Sequence, residues 1–562
     1  MTTTLPAFSF AAGLFVLLSV LTFLFIVPRI HRRWLMSRAK HRSLAGHVRI
    51  ARLIARHIPR YEFDDERFLV ADGADGIIAA RRQAGLDSLA VRLNRSRPRS
   101  AEAMGKLRNA VADVEFIRHY RVPFQFNRVI REKITAGVMV TATHGHRITD
   151  LDGNQLLDVS GSYGVNLFGH EFYKACLAEA SETVADLGPV LGPYHPVIIE
   201  VVERLRKVSG HEQFSFHMSG TEAIMQAVRL ARYHTGRSHV VRLCGAYHGW
   251  WDDVQPGIGN PGRVGNVYTL ADVSQATLKA IRARKNIACV LVNPLQALHP
   301  NANAPGDGAL VAANRAAGFD RQAYSDWLRQ LRELCDERGI VLIFDEVFVG
   351  FRLAPGGAQQ YFDVKADLLT YGKTLGGGLP VGVVCGPTRL MQRFRRERPL
   401  DICFARGTFN AHPMVLAAMS AFLRRLESSD IQAIYTTLDQ TWERRAERMN
   451  ETLSANGLPI SVRNLSSIFT MLYDSPSRYN WMFQFYLQAE GLLLPWVGTG
   501  RLIFSLDYDD QEFDEVTERI IRAGRQMAED GWWWHPEGAT NRHIGRTILR
   551  ESLRAKFQRR LA

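Results

Sequence analysis

This chain of 562 residues has few cysteines, and none of them are closely paired. The six cysteines are scattered, without a CxxC pair or a histidine at zinc-finger spacing. A disulfide scaffold or a structural zinc site requires such spacing. The sequence therefore predicts reduced thiols in a cytosolic compartment and no metal site.

Acidic residues are missing from one stretch of the chain and scarce in another. These two stretches account for the formal net charge of +14. Residues 29–60 contain ten basic residues and no acidic ones, and residues 541–562 contain seven basic residues and one glutamate. The body between these stretches is close to neutral, whereas a nucleic-acid-binding body carries a basic surface of its own. We therefore expect no nucleic-acid partner, and nucleic-acid binding by the basic ends is the weakest alternative.

The first 28 residues contain no Lys, Arg, Asp or Glu, and Leu5 to Val27 form one apolar run. As a helix this run reaches about 35 Å, enough for a hydrocarbon core of about 30 Å. A cleaved signal peptide begins with basic residues and ends at small ones, which this run does not. We predict a retained transmembrane anchor, with a buried helix as the alternative. The arginines that follow, beginning at Arg29, place the N-terminus outside and the body on the cytoplasmic side.

The basic ends are suited to an anionic membrane surface, since each nearby basic residue contributes about 1 kcal/mol. In the tail, Leu549, Leu553 and Phe557 recur at four-residue spacing, as do Arg546, Arg550 and Arg554. This pattern predicts a basic amphipathic helix that lies on the membrane, or equally a solvated terminal helix.

The sequence divides into seven predicted segments. They are a transmembrane anchor (1–28), a basic juxtamembrane segment (29–60), a helical connector or accessory layer (61–120), the N-terminal part of a small domain (121–200), a large domain (201–430), the C-terminal part of the small domain (431–535) and a basic tail (536–562).

Short β-rich runs mark the strands of this body. A hairpin is predicted around the DG turn of ITDLDGNQLLDVSG. The large domain contains six almost continuously apolar runs: QFSFHM (213–218), HVVRLCG (239–245), ACVLVNP (288–294), IVLIFDE (340–346), LLTYG (368–372) and VGVVCG (381–386). Such runs indicate a mainly parallel sheet covered by helices, an α/β fold whose ligands bind beyond the carboxyl ends of the strands.

Two motifs follow the first two of these strands. Ser219, Gly220 and Thr221 open a helical run, so their N–H groups and the helix dipole offer an anion site, with a plain helix cap as the alternative. Tyr247 and His248 precede Gly249, and an aromatic ring there could cover a flat ligand or belong to the core.

Two charged residues follow later strands. Asp345 ends the fourth strand, where a buried carboxylate needs a cationic partner such as the protonated ring nitrogen of a cofactor; a helix cap or local ion pair is the alternative. Lys373 precedes three consecutive glycines in TYGKTLGGGLP. A partly desolvated lysine supplies the neutral amine of a Schiff base, whereas most lysines at such turns are solvated.

Together these motifs resemble one family. SGTEA, YHG, FDEVFVGFR, YGKTLGGGLPVG and RGTFNAHP, in this order over residues 121–535, are similar to the class III aminotransferases of pyridoxal-phosphate fold type I. Within that family the chain looks closest to glutamate-1-semialdehyde aminomutases and to the aminotransferase domains of polyketide and peptide synthetases.

The resemblance implies roles for the motif residues. Lys373 would carry pyridoxal 5'-phosphate as a Schiff base and Asp345 would pair with its ring nitrogen. The phosphate would meet Ser219, Gly220 and Thr221, with Tyr247 and His248 at the ring. Thr408 would bind the phosphate of the neighbouring subunit, which implies an obligate homodimer.

Three residues depart from the family pattern or are diagnostic within it. Asn293 stands before Pro294 where many members have glutamate, and Phe348 replaces a glutamine that often contacts the cofactor. Near the C-terminus a mutase-type glutamate is missing, whereas Arg501 falls where ordinary members bind the carboxylate of the donor. The first two departures put the substrate contacts in doubt, and Phe348 stands where the aminomutases also carry an apolar residue. The third favours transamination over internal amino migration.

The sequence therefore predicts a membrane-anchored aminotransferase that moves an amino group from an amino-acid donor to an aldehyde or ketone. The anchor favours a lipid-like or carrier-tethered acceptor in lipid or secondary-metabolite biosynthesis, and Trp250 and Trp251 could line an apolar acceptor site, although core packing is the favoured role for both. Trp532 to Trp534 could lie at the headgroup level, again with core packing favoured. An aminomutase and a catalytically silent membrane scaffold are the alternatives.

Overall fold

A computed structural model describes most of the chain. The described residues are 14–17, 19–41, 44–120, 122–135, 137–255, 257–260, 262, 265–298, 317–495 and 500–561. The start of the predicted anchor, Leu5 to Gly13, lies outside them, as do residues 496–499 of the C-terminal motif.

One helix near the N-terminus, Leu14–Ala39, is long and apolar enough to cross a membrane. Apolar side chains along its first half are exposed, including Phe15 and Phe23. Its last part, α1 (Val27–Ala39), instead packs on the body. Ala39 is fully buried there, and its carbonyl accepts a hydrogen bond of 2.8 Å from the Ala271 N–H.

The residues up to 135 form short helices that cover one side of the body. They are α2 (Val48–Ala55), α3 (Asp65–Leu69), α4 (Gly76–Ser96), α5 (Pro98–Leu107), α6 (Ala112–Tyr120) and α7 (Asn127–Lys133). Aspartate side chains cap α3 and α4: Asp64 accepts from the Arg67 N–H at 2.7 Å. The buried Arg82 of α4 binds Asp72 and donates to the Gly531 carbonyl at 3.0 Å. Residues 61–120 therefore form an accessory layer fixed to the C-terminal part of the chain.

The hairpin predicted around the DG turn is confirmed. Strands β1 (Val140–His144), β2 (Arg147–Asp150) and β3 (Gln155–Asp158) form an antiparallel meander. Helices α8 (His170–Thr183) and α9 (Val197–Ser209) connect it to the large domain, and α9 crosses the boundary predicted at residue 200.

The central sheet confirms all six predicted strands of the large domain and adds an edge strand that the sequence did not reveal. Its strands are β4 (Gln213–His217), β5 (His239–Leu243), β6 (Val267–Leu270), β7 (Ile287–Val292), β8 (Val341–Asp345), β9 (Leu368–Gly372) and β10 (Gly382–Gly386). In the described part of the chain they lie in the order β4-β10-β9-β8-β7-β5-β6, and β10 runs opposite to both of its neighbours. The carboxyl ends of β4, β5, β7, β8 and β9 therefore meet at one edge of the sheet.

Helices and a small ribbon complete the large domain. They are α10 (Gly220–Thr235), α11 (Gln275–Arg282), α12 (Arg321–Arg338), α13 (Gly357–Phe362), α14 (Thr388–Met391) and the ribbon β11 (Phe394–Arg395) and β12 (Arg398–Ile402). Strands β7 to β10 are buried along their whole length, as their continuous apolar runs predict.

The C-terminal part returns to the small domain. Its elements are α15 (Pro413–Leu426), α16 (Ser429–Thr436), α17 (Leu438–Ala455), β13 (Ile460–Leu465), β14 (Ile468–Tyr473), α18 (Phe483–Ala489), β15 (Leu492–Leu493), β16 (Arg501–Ile503), α19 (Asp510–Glu529) and α20 (Asn541–Leu561). Strand β15 joins the meander beside β3, and β13, β14 and β16 form a separate sheet. The buried Arg352 of the large domain donates to the Ser467 hydroxyl at 2.6 Å and the Phe504 carbonyl at 2.7 Å, so the two domains are held together by hydrogen bonds.

The predicted tail helix is confirmed as α20, and its three spaced apolar residues are exposed. Trp532 and Trp533 are buried, which confirms core packing and excludes the headgroup position for both.

Candidate active site

Asp345 is buried at the carboxyl end of β8, and its nearest polar partner is His248. The two lie 2.7 Å apart, between a carboxylate oxygen and Nδ1 of the imidazole. The other carboxylate oxygen accepts from the Val347 N–H at 3.1 Å. The structure thus brings together two residues that are almost a hundred positions apart in the sequence.

The imidazole of His248 is kept neutral by its surroundings. Burial lowers its pKa, Asp345 opposes this effect, and the nearby Arg242 lowers the pKa further. A neutral ring can donate its Nδ1–H to the Asp345 carboxyl group. His248 therefore orients Asp345 at the sheet edge, where a cationic ligand group could meet it.

Lys373 directly follows β9, next to the end of β8 in the same sheet. Its backbone is in the left-handed region with φ of 45°, which is uncommon for a residue with a side chain and typical of functional sites. Burial lowers the pKa of its amine, and the Asp345 charge partly offsets this. A lowered pKa increases the fraction of neutral, nucleophilic amine.

Phe348 lies beneath the amine of Lys373. Nζ is 5.5 Å from the centroid of the phenyl ring. The other side of the ring packs on Gly164, where an added Cβ would lie 2.7 Å from the ring carbons. The apolar floor that replaces the family's glutamine thus contributes to the desolvation of Lys373.

The start of α10 lies at the same edge of the sheet. The Ser219 hydroxyl caps the helix by accepting from the Glu222 N–H at 3.2 Å, and Glu222 accepts from the Met218 N–H at 3.0 Å. Gly220 and Thr221 are the first residues of the helix, where N–H groups have no intrahelical carbonyl. This confirms the predicted turn, and the first helical turn is suited to a phosphate.

Glycines allow close packing at this edge. An added Cβ at Gly220 would lie 2.7 Å from Val347, and one at Gly249 would lie 2.4 Å from the Thr221 hydroxyl. Gly249 also has φ of +91°, a conformation that side chains rarely adopt. These two glycines therefore let the start of α10 approach Val347 and the loop of Gly249 approach Thr221.

Tyr247 is 59% exposed at this edge. Its backbone carbonyl accepts from the Asn293 amide at 3.1 Å, and the Asn293 side-chain oxygen accepts from the Leu295 N–H at 3.1 Å. Asn293 thus links the loop of Tyr247 to the segment that follows β7. A substrate contact by Asn293 stays a prediction.

Four other predicted residues lie outside this cluster. Arg501 begins β16 and pairs with Thr470. Ile503 of β16 lies close to Gly161, where an added Cβ would be 2.7 Å from it, and Gly161 is three residues before Gly164, which packs on Phe348. Thr408 is exposed in the segment before α15. Trp250 is 75% exposed, so core packing is wrong for this residue, whereas Trp251 packs against the cluster around α10.

Sequence reasoning missed two charged residues beside the site. Arg242 is partly buried near His248 and donates to the Ala246 carbonyl at 2.5 Å, and desolvation lowers its pKa to about 10. Glu346 accepts from the Ala358 N–H at 2.6 Å, and burial raises its pKa to about 7. Their position at strand ends was the available signal, but the sequence does not show which groups they face.

The residues present fit one cofactor. An amine of lowered pKa, a buried carboxyl group, a helix start among glycines and an exposed aromatic residue meet at one sheet edge. Pyridoxal phosphate has an aldehyde, a basic ring nitrogen, a phosphate and a flat ring, one for each of these groups. The fold and the site together define a pyridoxal-phosphate-dependent enzyme of fold type I.

Comparisons with known proteins identify the family. The family model described as aminotransferase class-III matches residues 130–523. A glutamate-1-semialdehyde 2,1-aminomutase from Methanocaldococcus jannaschii is 31% identical over 409 residues, which cover 68% of this chain and 88% of that protein. One from Nitratidesulfovibrio vulgaris is 34% identical over 341 residues, which cover 60% of this chain and 77% of that protein.

Solved structures show the same fold. A transaminase with pyridoxal phosphate bound is 28% identical with a TM-score of 0.57, over 70% of this chain and 92% of that one. A glutamate-1-semialdehyde aminomutase from Pseudomonas aeruginosa shares the fold at 20% identity, with a TM-score of 0.64 over 80% and 99% of the two chains. The chain belongs to the class III aminotransferase family, and its cofactor is pyridoxal 5'-phosphate.

Proposed function

We propose that this protein is a membrane-anchored aminotransferase that moves an amino group from an amino-acid donor to an aldehyde or ketone, lipid-like or carrier-tethered. The observation that carries the chemistry is Lys373, a buried amine of lowered pKa beside the charged Asp345. The acceptor class is supported by the helix Leu14–Ala39, since a small soluble keto acid gives no reason to hold an enzyme at a bilayer.

The cofactor, when bound, supplies an electron-accepting ring that stabilises negative charge on the substrate carbon. Lys373 binds the cofactor aldehyde through Nζ and, once released by the donor, moves the proton at the substrate carbon through the same atom. Asp345 holds the ring nitrogen protonated, and the neutral His248 orients the carboxylate. Ser219, Gly220 and Thr221 bind the phosphate at the start of α10.

The donor is proposed to be an amino acid whose carboxylate meets Arg501. The proposal is supported by a chain of contacts, because β16 lies close to Gly161, Gly164 lies close to Phe348, and the Phe348 ring lies 5.5 Å from Nζ of Lys373. This supports two half-reactions, in which the donor leaves as a keto acid before the acceptor enters. Ping-pong kinetics are the expected consequence.

The active form is proposed to be a homodimer in which Thr408 reaches the phosphate of the neighbouring subunit. Thr408 is exposed, and the surrounding surface contains exposed apolar side chains: Tyr194, Phe394, Leu400, Ile402, Phe404 and Phe409. A surface of this kind is typical of a protein interface.

The membrane arrangement is proposed from the sequence pattern. The anchor spans the bilayer with its N-terminus outside, and the catalytic body lies on the cytoplasmic side against an anionic surface. The exposed apolar side chains of Leu14–Ala39 and the basic residues that follow support this orientation.

The decisive experiment uses the full chain in lipid nanodiscs with glutamate or alanine labelled in the amino group. Acyl aldehydes, β-keto thioesters and glutamate semialdehyde serve as acceptors, and mass spectrometry follows the label. Label in a long-chain amine or a β-amino thioester supports the proposal. The Lys373→Ala variant is the negative control and should transfer no label. Label in small keto acids alone would contradict the lipid or carrier acceptor.

An aminomutase is the second candidate because the relatives found in the comparison are named glutamate-1-semialdehyde 2,1-aminomutase. A mutase needs no amino donor. Conversion of unlabelled glutamate semialdehyde to aminolevulinate without any added amino acid would decide for it.

A further inference from the structure

Helix α2 has its amphipathic faces reversed relative to an ordinary surface helix. Its inward side carries the small, buried Ala51, whereas the large apolar residues point outward: Ile50 is 51% exposed, Leu53 58% and Ile54 39%. Surface helices of globular proteins place such residues toward the core. An outward apolar face beside exposed Arg49 and Arg56 is typical of a helix that lies in a membrane interface.

Helix α20 repeats the pattern at the other end of the chain. Leu549, Leu553 and Phe557 are exposed on one face, and Phe557 reaches 62%. Three exposed arginines stand among them: Arg546, Arg550 and Arg554. The opposite face is fixed to the body, since Glu551 accepts two hydrogen bonds from Arg478, at 2.8 and 2.9 Å.

A short segment of chain links the two helices. Glu551 also accepts from the Tyr61 hydroxyl at 3.1 Å, and only residues 56–60 separate Tyr61 from the end of α2. Five residues span at most about 20 Å, so the end of α2 lies within that distance of a residue that α20 binds. Residues 40–47 likewise link α2 to the end of the helix Leu14–Ala39, so the chain keeps α2 close to the candidate span.

We propose that the outward faces of α2 and α20 together form a second contact with an anionic lipid bilayer. This interfacial surface consists of six residues: Ile50, Leu53, Ile54, Leu549, Leu553 and Phe557. The proposal rests on the membrane anchoring proposed above and adds the orientation of the body. The occupant is a bilayer because apolar side chains and arginines alternate on both faces, and residues 29–60 contain no acidic residue that would repel anionic headgroups.

The contact has a consequence for the active site. From the inner side of α2, Arg52 donates to the Gly257 carbonyl at 3.1 Å and to the Gly262 carbonyl at 2.8 Å. Both glycines belong to the β5–β6 loop (residues 244–266), which also contains Tyr247, the residue predicted to stack on the cofactor ring. Ile258 on this loop is exposed. A bilayer that holds α2 thereby holds this loop close to the lipid from which an apolar acceptor would come.

The test uses single-cysteine labelling of the full chain. All six native cysteines are buried, so an introduced exposed cysteine reacts selectively with a bimane maleimide. Probes are placed by Ile54→Cys and Leu553→Cys on the interfacial surface, and by Phe23→Cys in the span. Ile77→Cys is the control, because Ile77 is an equally apolar and more exposed residue elsewhere. The labelled proteins are reconstituted in phosphatidylcholine vesicles with or without phosphatidylserine.

We expect brominated lipids to quench the probes at residues 23, 54 and 553, with phosphatidylserine increasing the quenching at residues 54 and 553 and little quenching at residue 77. Quenching at residue 23 without quenching at residues 54 and 553 would overturn the interfacial surface and leave the anchor intact. No quenching at residue 23 would overturn the anchor and this inference with it. Equal quenching at residue 77 would also overturn the assignment to these two helices.

A second copy of the chain is the competing occupant. The double variant Ile50→Gln, Leu53→Gln distinguishes the two, and the matched control is Ile77→Gln. We expect the variant to keep its dimeric mass in detergent and to lose the quenching of a probe at residue 553. Dissociation into monomers would show that the face is a protein interface and would contradict the proposal.

Discussion

At the scale of single residues, the site controls charge by burial. Lys373 and His248 both have lowered pKa values because they are removed from water. Asp345 accepts hydrogen bonds from His248 and the Val347 N–H, which fix the position of its carboxyl group. Burial thus favours the neutral forms of Lys373 and His248, while hydrogen bonds orient Asp345 between them and the ligand.

The replacement Phe348→Gln tests the contribution of the apolar floor to the Lys373 pKa. A polar amide near Nζ stabilises the ammonium form, so the pKa of Lys373 rises. Because Lys373 is a free amine only after the donor has released it, the acid limb of the kcat profile moves to higher pH. Steady-state kinetics across pH measures this shift. Phe348→Leu is the control and should leave the limb in place. An unchanged limb in the glutamine variant would show that the ring does not set the pKa.

Glu346 makes stability depend on pH. Burial raises its pKa from 4.5 to about 7, so between these values the folded chain holds a proton that the unfolded chain releases. The stabilising contribution is complete below pH 4.5 and is lost as the pH rises through about 7, which corresponds to about 3 kcal/mol.

Glu346→Gln removes this titration. We expect the free energy of unfolding to vary less between about pH 5 and about pH 8 in the variant than in the parent protein. Denaturant titrations at several pH values measure it, with the exposed Glu102→Gln as control. An identical slope in parent and variant would mean that Glu346 is not the group responsible.

The sequence predicted the roles of those residues that directly follow a recognisable strand. Asp345 and Lys373 follow apolar runs directly, and parallel strands bring their carboxyl ends together. The pairing of Asp345 with His248 was not predictable, because it depends on how the β5–β6 loop folds back over β8. Nor does the sequence show that Arg242 lies near this pair.

At the scale of elements, α10 combines a structural cap with an anion site, and the two roles can be separated. Ser219→Ala removes the cap at the start of α10, and Asp320→Ala removes the equivalent cap of α12, whose Asp320 accepts from the Ala323 N–H at 2.9 Å. Both should lower the free energy of unfolding by about 1 kcal/mol. Only Ser219→Ala should also weaken cofactor binding.

Equilibrium unfolding of the apoprotein and fluorescence titration with pyridoxal phosphate measure the two effects. A loss of cofactor affinity in both variants would attribute the effect to general destabilisation. Equal affinity in Ser219→Ala and the parent protein would exclude Ser219 from the phosphate site.

Most strands could be predicted because burial on both faces leaves long apolar runs. Strand β6 escaped prediction because it is a four-residue edge strand, VYTL, with only partial burial. The reversed direction of β10 was also not visible in its sequence, since a fully buried strand looks the same in either orientation. The outward apolar face of α2 could not be recognised without knowing which side packs on the body.

At the scale of the whole molecule, the proposed dimer makes each site depend on both subunits. Lys373→Ala and Thr408→Ala should each reduce kcat/KM, the first by at least about 10²-fold. A heterodimer of the two variants contains one site with both residues intact, so co-expression should restore activity. Tandem affinity tags isolate the heterodimer for kinetic assay. If it has no more activity than the Thr408→Ala homodimer, Thr408 acts within its own subunit.

The helix Leu14–Ala39 passes directly from exposed apolar side chains into packing against α11, with the Ala39 carbonyl bonded to Ala271. Because no flexible linker separates the helix from the body, the body cannot rotate freely about the helix. Whatever holds the outer turns of the helix therefore also fixes the tilt of the candidate active site and its distance from the anchoring surface, and substrates have to diffuse to that fixed position.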